Sequence, residues 1–193
     1  KLGDYRQEFK DYDKAIELDA KLALVYYNRA NTYCKLGDYR QSIKDYDKAM
    51  ELDPKDAWAY SNRGVAYSNL GDHRQAIRDY DRAIELNPKF ERAYYLRGLA
   101  YGGLGDYRQA IRDFDKAIEL DPKFAEAYSG RGVVYADLGD FRQAIRDYDR
   151  AIELDPKFAA GSYYSFRAAA YKKLGDYQRA IEDYKTAAKL GHE

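Results

Sequence analysis

Cysteine is almost missing from this chain: Cys34 is the only one in 193 residues, so no disulfide can form within it. Histidine is nearly as scarce, and His73 and His192 lie too far apart to suggest the His/Cys ligand set of a structural metal site. No apolar run approaches the length of about 18 residues that a membrane span needs, and nothing resembles a signal peptide, so membrane insertion is not expected. Neither sign of charge is in excess, because 33 Lys and Arg are balanced by 33 Asp and Glu. A protein that grips nucleic acid through its phosphates needs a basic surplus, so nucleic acid is not an expected partner. There is no Walker sequence, no nucleophile elbow, no His-Glu-x-x-His and no carboxylate pair set apart from the general pattern, so neither catalysis nor a cofactor is expected. The scarcity of thiols suits a cytoplasmic setting.

What the chain has in abundance is tyrosine, 22 against seven phenylalanines. It also has glycine in a suggestive place. The stretch YGGLGDYRQAI, residues 101–111, sets glycines directly ahead of a helical pattern, where free N–H groups and the helix dipole can cradle a phosphate. The rest of the chain argues against a phosphate site. Gly-Asp recurs at Gly3-Asp4, Gly37-Asp38, Gly71-Asp72, Gly105-Asp106, Gly139-Asp140 and Gly175-Asp176, 34 residues apart until a last step of 36. A fixed period of this kind signals a stack of supersecondary units. Single-site chemistry has no use for so many copies. Leu-Gly-Asp is therefore read as a turn in which glycine closes one helix and aspartate caps the next. Gln41, Gln75, Gln109 and Gln143, three residues after the aspartate, have the spacing of a capping box.

Each unit divides into two helices. Tyr94, Arg97, Gly98 and Tyr101 share one face of a first helix, Ala110, Phe114 and Ala117 one face of a second, and Pro122 follows as a residue that cannot continue it. Small Gly98 opposite Ala110 would allow close approach. All tyrosines except Tyr27, Tyr95 and Tyr163 fall on the phases of Tyr5, Tyr12, Tyr26 and Tyr33, and these are expected to build the core. Arg29, Arg63, Arg97, Arg131 and Arg167 lie on the packed face of first helices, where an unpaired charge is costly. Asp45, Asp79, Asp113, Asp147 and Asp183 are their expected partners, directly or through tyrosine hydroxyls, in pairs that set register more than they add stability. Elsewhere on the second helices charges run in stripes, with Arg74, Arg78 and Arg82 beside Asp81 and Glu85, as on a solvated face. Glu182, Lys185 and Lys189 invert the sign at matching phases of the last helix.

These residues resemble the tetratricopeptide repeat family. Its pattern of aromatic, Gly/Ala, Tyr, Gly-Asp, Ala, aromatic, Ala and Pro is met at Tyr60, Gly64, Tyr67, Gly71-Asp72, Ala76, Tyr80, Ala83 and Pro88, and again from Tyr94 through Pro122 and from Tyr128 through Pro156. The recurrent arginines stand where the family usually has leucine. The resemblance implies an all-α fold, a right-handed α-solenoid (superhelix) of stacked antiparallel helix pairs with 34-residue repeats. On this reading residues 1–22 are the second helix of a truncated repeat, and repeats follow at 23–56, 57–90, 91–124, 125–158 and 159–193. The last carries a two-residue insertion in KFAAGSYYSF, expected to lengthen the linker or add half a helical turn around Ala159–Ser162, without a binding role.

The resemblance also implies that the first helices line a concave groove for a peptide or protein segment, which makes the chain a non-catalytic interaction scaffold. The groove-facing phases hold Tyr27, Asn31, Trp58, Ser61, Asn62, Val65, Arg92, Tyr95, Leu99, Gly102, Ser129 and Val133. Of these, Tyr27, Trp58, Tyr95, Leu99 and Val133 read as anchors, and Asn31, Asn62 and Arg92 as hydrogen-bonding groups that fix direction. Gly102 and Gly103 depart from every other copy and would let a ligand approach the backbone, unless the helix frays there. Some members of the family grip the C-terminal carboxylate of a chaperone with Lys, Asn, Asn, Lys and Arg. Those phases fall here on Tyr27, Asn31, Asn62, Arg92 and Leu96, and the missing cations leave too little charge for such a clamp. Two rival readings remain open. One is a structural module that stacks end to end on its own copies, suggested by Glu8 where Ser42 and Ala180 are small and by the lack of a helix after Leu190. The other is the regulatory arm of a larger protein, because the sequence starts in mid-repeat.

Overall fold

The computed structural model describes residues 2–156 and 161–191. Its described residues form eleven helices and no strand. In chain order they are α1 (Leu2–Leu18), α2 (Ala23–Lys35), α3 (Tyr39–Leu52), α4 (Ala57–Asn69), α5 (His73–Leu86), α6 (Glu91–Gly103), α7 (Tyr107–Leu120), α8 (Ala125–Asp137), α9 (Phe141–Leu154), α10 (Ser162–Lys173) and α11 (Tyr177–Leu190). The chain gathers into two compact units, Lys1–Ala100 and Tyr101–Glu193. In the first, α2 packs on α3, α3 on α4 and α4 on α5; in the second, α7 packs on α8, α8 on α9, α9 on α10 and α10 on α11. The fold is an all-α solenoid.

Leu-Gly-Asp makes the turn inside each pair. After α4, the Gly71 N–H bonds the Ser68 carbonyl at 3.0 Å and the Asp72 N–H bonds the Tyr67 carbonyl at 2.9 Å, the two bonds of a Schellman motif. Gly71 takes φ +81°, a conformation that would cost any other residue about 1–2 kcal/mol. Asp72 then caps α5 by accepting from the Gln75 N–H at 3.0 Å. The reciprocal half of the capping box does not form, because the Asp72 N–H is already taken by Tyr67. Gln75 Oε1 instead accepts from Arg78 Nε at 2.8 Å, and Gln109 and Gln143 turn in the same way to Arg112 and Arg146. Gly3-Asp4 is a second correction, because α1 runs through it.

The core is built from alanines and chiefly one aromatic phase, with Tyr26 and Tyr171 of two other phases also buried at 8% exposed. Tyr46, Tyr80, Phe114 and Tyr148 are at most 2% exposed. Their rings explain the small residues on the first helices, for a methyl group at Gly64 would lie 2.6 Å from the Tyr80 ring and one at Gly132 2.8 Å from the Tyr148 ring. The other tyrosine phases correct the sequence expectation. Tyr60, Tyr94, Tyr128 and Tyr164 are only half-buried, each with the guanidinium three residues on lying 5.5–5.8 Å from its ring centre. Tyr163, off those phases, is a core residue packed with Ala125 and Ala151.

The arginines do find their aspartates. Arg63 donates from Nε and Nη2 to both oxygens of Asp79 at 2.8 and 2.6 Å, and Arg29, Arg131 and Arg167 bind Asp45, Asp147 and Asp183 with the same fork. Each guanidinium also reaches back to the preceding second helix. Nη1 of Arg29, Arg63, Arg97, Arg131 and Arg167 bonds Asp13, Asp47, Asp81, Asp115 and Asp149 at 2.5–2.7 Å. Asp81, expected in a solvated stripe, is therefore a half-buried partner of Arg97. For Arg63, burial opposes its charge, but the hydrogen bonds it donates to Asp79 and Asp47 and their negative charges outweigh it and hold the group protonated. Burial pushes the Asp79 carboxyl up from 3.8 against the pull of Arg63. The forked geometry, with both oxygens accepting, is that of an ionised pair.

Glu8 is likewise engaged, accepting from Thr32 Oγ1 at 3.2 Å, so a larger acid on α1 is matched by a threonine on α2. Of the insertion, residues 157–160 lie outside the described residues. Gly161 takes φ +86° before α10, and a methyl group on it would meet the Ala187 backbone at 2.7 Å.

Candidate functional site

The first helices carry the candidate residues, unit by unit. In the first unit the outward row is apolar and aromatic. Trp58 is 53% exposed with its ring against Phe90 at 4.4 Å, Leu99 is 43% exposed, and Val65 and Tyr95 are half-buried. Arg92 is exposed at the first turn of α6. The outer faces of the second helices differ in kind, being covered by charges in solvated pairs such as Arg82–Glu85 at 2.8 Å.

Tyr27, Asn31 and Asn62 come together, though not as separate ligand-facing groups. Asn62 Nδ2 donates to the Tyr27 hydroxyl at 3.0 Å and to Asn31 Oδ1 at 3.2 Å, and the Tyr46 hydroxyl donates to the same Asn31 oxygen at 2.6 Å. The Tyr27 ring meets Tyr46 edge-on at 6.0 Å. Burial, and then the neighbouring Cys34, push the Tyr46 phenol up, so it remains a donor. The cluster fixes both amides and turns Asn31 Nδ2 and Asn62 Oδ1 outward from it, neither with a protein partner among the described residues. Leu96, the last phase of the carboxylate clamp, packs with Ala76, Tyr80 and Ala100 and brings no charge.

In the second unit Val133 is half-buried on α8. A methyl group at Gly102 would sit 3.7 Å from Val134, in ordinary contact, so packing does not demand a glycine there. Fraying does not account for the pair either, because α6 continues through Gly103, the phase at which α2, α4 and α8 end.

Two candidates need correction. Ser61 is wholly buried, its hydroxyl without a partner among the described residues, and Ser129 is 6% exposed. A side chain this short, on a helix with neighbours on either side, does not project past the packed surface. The sequence reading missed a cavity of about 280 Å³ among α8, α9 and α10, lined by Val133, Ala136, Phe141, Tyr148, Phe166 and Ala169. Its signal was Phe166, the only aromatic on a phase otherwise held by Asn28, Asn62, Leu96 and Gly130. Among the described residues no group of three His, Cys, Asp or Glu is placed to hold a metal ion, and no helix is long and apolar enough to cross a membrane.

Models of the tetratricopeptide repeat match residues 11–44, 57–90, 95–157 and 161–192, and a model described as TPR repeat matches 30–71. No curated protein matches the sequence. Among solved structures, MamA is 26% identical with a TM-score of 0.73, the match covering 88% of this chain and 92% of that one. YrrB, described as a TPR protein with an unusual peptide-binding site, is 24% identical with a TM-score of 0.69 and coverage of 94% and 93%, a likeness of fold. The Cut9–Hcn1 assembly of the APC/C matches the whole chain at a TM-score of 0.84 with 19% identity, over 38% of its own chain.

Proposed function

Because the chain belongs to the tetratricopeptide repeat family, we propose that it is a non-catalytic interaction scaffold that holds a peptide or protein segment in a groove lined by its first helices. The observation that carries this reading is the contrast between the two kinds of helix. The second helices α3, α5, α7 and α9 turn charged, self-paired rows to solvent. First helices turn out Trp58, Tyr95 and Leu99 beside two amides whose free ends, Asn31 Nδ2 and Asn62 Oδ1, suit the C=O and N–H of a peptide backbone. Interface energy concentrates in such aromatic and apolar anchors.

The test is a selection of random dodecapeptides, displayed on phage, against the immobilised full chain. Selected peptides are expected to lose about 2 kcal/mol of binding to Trp58→Ala or Tyr95→Ala, by fluorescence anisotropy, and nothing to Arg78→Glu on the outer side of α5. Peptides that tolerate both first-helix changes but fail on Arg78→Glu would place the binding face elsewhere and end this reading.

A second reading, self-association, is favoured by one row on α11. Tyr177, Ile181 and Tyr184 are 63, 53 and 43% exposed, an apolar stripe one helical face wide. Sedimentation of the wild type is expected to show a mass that rises with concentration and returns to the monomer in Ile181→Glu. A wild-type mass that stays constant up to high micromolar concentration removes this second reading.

A further inference from the structure

The cavity among α8, α9 and α10 exists because of what each copy of the repeat places there. Phe166, 43% exposed, projects from α10, while Ala136 and Ala169 beside it are small. The phase of Ala169 holds Asn31, Val65, Leu99 or Val133 in the other copies, all larger side chains. A projecting ring next to two alanines leaves a void with apolar walls. At about 280 Å³ it lies below the range of roughly 300–1,000 Å³ typical of sites for whole small molecules, and is the size of one large side chain.

Two polar features break the apolar lining. Tyr148 is 2% exposed, and its hydroxyl has no hydrogen-bond partner among the described residues. The equivalent Tyr46 hydroxyl bonds Asn31, but α8 carries Val133 at that phase, which has no acceptor to offer. The hydroxyl is open to the cavity rather than sealed in the core, so an acceptor that arrives there can pair with it. Burial and then the Asp137 carboxylate push the Tyr148 phenol up, so it arrives at that encounter as a donor. The second feature is the rim, where Asp137 and Lys173 end α8 and α10 and are both exposed. An acid at a helix C-terminus opposes the helix dipole. The other copies avoid it, with Lys35, Asn69, Gly103 and Lys173 at that phase.

We infer that this cavity is a specificity pocket for one large apolar side chain of a bound peptide, whose backbone carbonyl accepts from the Tyr148 hydroxyl and whose flanking basic and acidic residues meet Asp137 and Lys173. The inference rests on the peptide-binding reading and adds to it the chemistry of the partner: an apolar anchor between charges of opposite sign.

Two probe peptides test it by methyl NMR on the full chain at millimolar concentration: acetyl-Lys-Gly-Phe-Gly-Glu-amide and the same peptide with serine in place of phenylalanine. The phenylalanine peptide is expected to shift the methyl signals of Val133, Ala136, Ala169 and Ala170 along a saturating curve, and the serine peptide to leave them unmoved. Ala169→Trp, which fills the pocket from an exposed position, and Phe166→Asn, which removes a wall, are each expected to weaken the phenylalanine peptide by about tenfold or more. Tyr148→Phe weakens it too and keeps the fold, since Phe114 already serves at that phase. Thermal melts confirm that each variant is folded. Absence of saturable shifts at these methyls, or binding unchanged in both filling and wall variants, overturns the pocket. Shifts that gather at Val65 and Leu99 overturn it as well and leave the peptide-binding reading standing. That reading fails separately, in the dodecapeptide selection, whose variants lie in the first unit.

Discussion

Arg63→Ala is expected to lower the unfolding free energy by about 3–5 kcal/mol, the usual cost of removing one partner from a buried ion pair. The loss comes from what remains. Asp79 is 4% exposed and gives both oxygens to the Arg63 fork, so without it a carboxylate is left buried and unpaired. Asp47 loses its bond as well, though in a more open place where the cost is small. The effect depends on pH in a definite sense. In the variant, Asp79 has lost the guanidinium that pulled its pKa down, and burial raises it further above its unfolded value. A group with a raised folded pKa contributes stability that is complete below the unfolded pKa and lost as pH rises through the folded one. The gap between variant and wild type is therefore expected to be widest at about pH 7 and to narrow toward about pH 4, near the unperturbed value for aspartate. Urea denaturation followed by circular dichroism at the two pH values measures this. A gap that widens on acidification would show that Asp79 is not the group carrying the penalty.

Tyr80→Ala is expected to cost about 3–5 kcal/mol as a core truncation. The ring is 1% exposed and fills the hollow over Gly64, between Ala76 and Ala100. A cavity opened there has little chance to collapse, because the surrounding positions already hold the smallest side chains. Tyr94→Ala is the comparison, with an expected loss of about half that size, since its ring is half-buried and covered on one side by Arg97. Equal losses for the two would contradict the ranking of tyrosine phases described above.

Both experiments bear on how far this molecule could be read from its sequence. The helices, their turns and the forked Arg–Asp pairs were legible because each signal is printed several times at one spacing. Asp79 was identified as the partner of Arg63 from phase alone. Asp47 was missed for an equally physical reason. Its phase lies among charges that alternate along the second helix, and sequence does not distinguish a carboxylate facing water from one facing the next guanidinium. The tyrosines show the same limit. Periodicity placed them on the packed face, but only the geometry separates Tyr80, enclosed by alanines, from Tyr94, capped by an arginine. At the candidate site the exposed Trp58 and Leu99 were reached through the outward phases that the family resemblance implies, whereas Ser61, placed there by the same rule, could not be recognised as buried. The cavity beside Phe166 was the hardest to foresee, since a void is made by the atoms that several distant positions lack.

The double grip of Arg29, Arg63, Arg131 and Arg167 bears on how such a chain can change its length. Arg167 holds Asp149 at 2.6 Å although 18 residues separate them, against 16 between Arg131 and Asp115 at 2.5 Å. The insertion ahead of α10 is absorbed before the guanidinium is reached. Wherever a copy presents an aspartate behind and another ahead, the arginine between them is satisfied, and any copy can supply either one. Duplication or excision of one whole period therefore leaves no charge stranded at the junction. A cut inside a helix pair strands at least one. For lineages that lengthen or shorten by recombination, the ion pairs act as a reading frame written in protein rather than in codons.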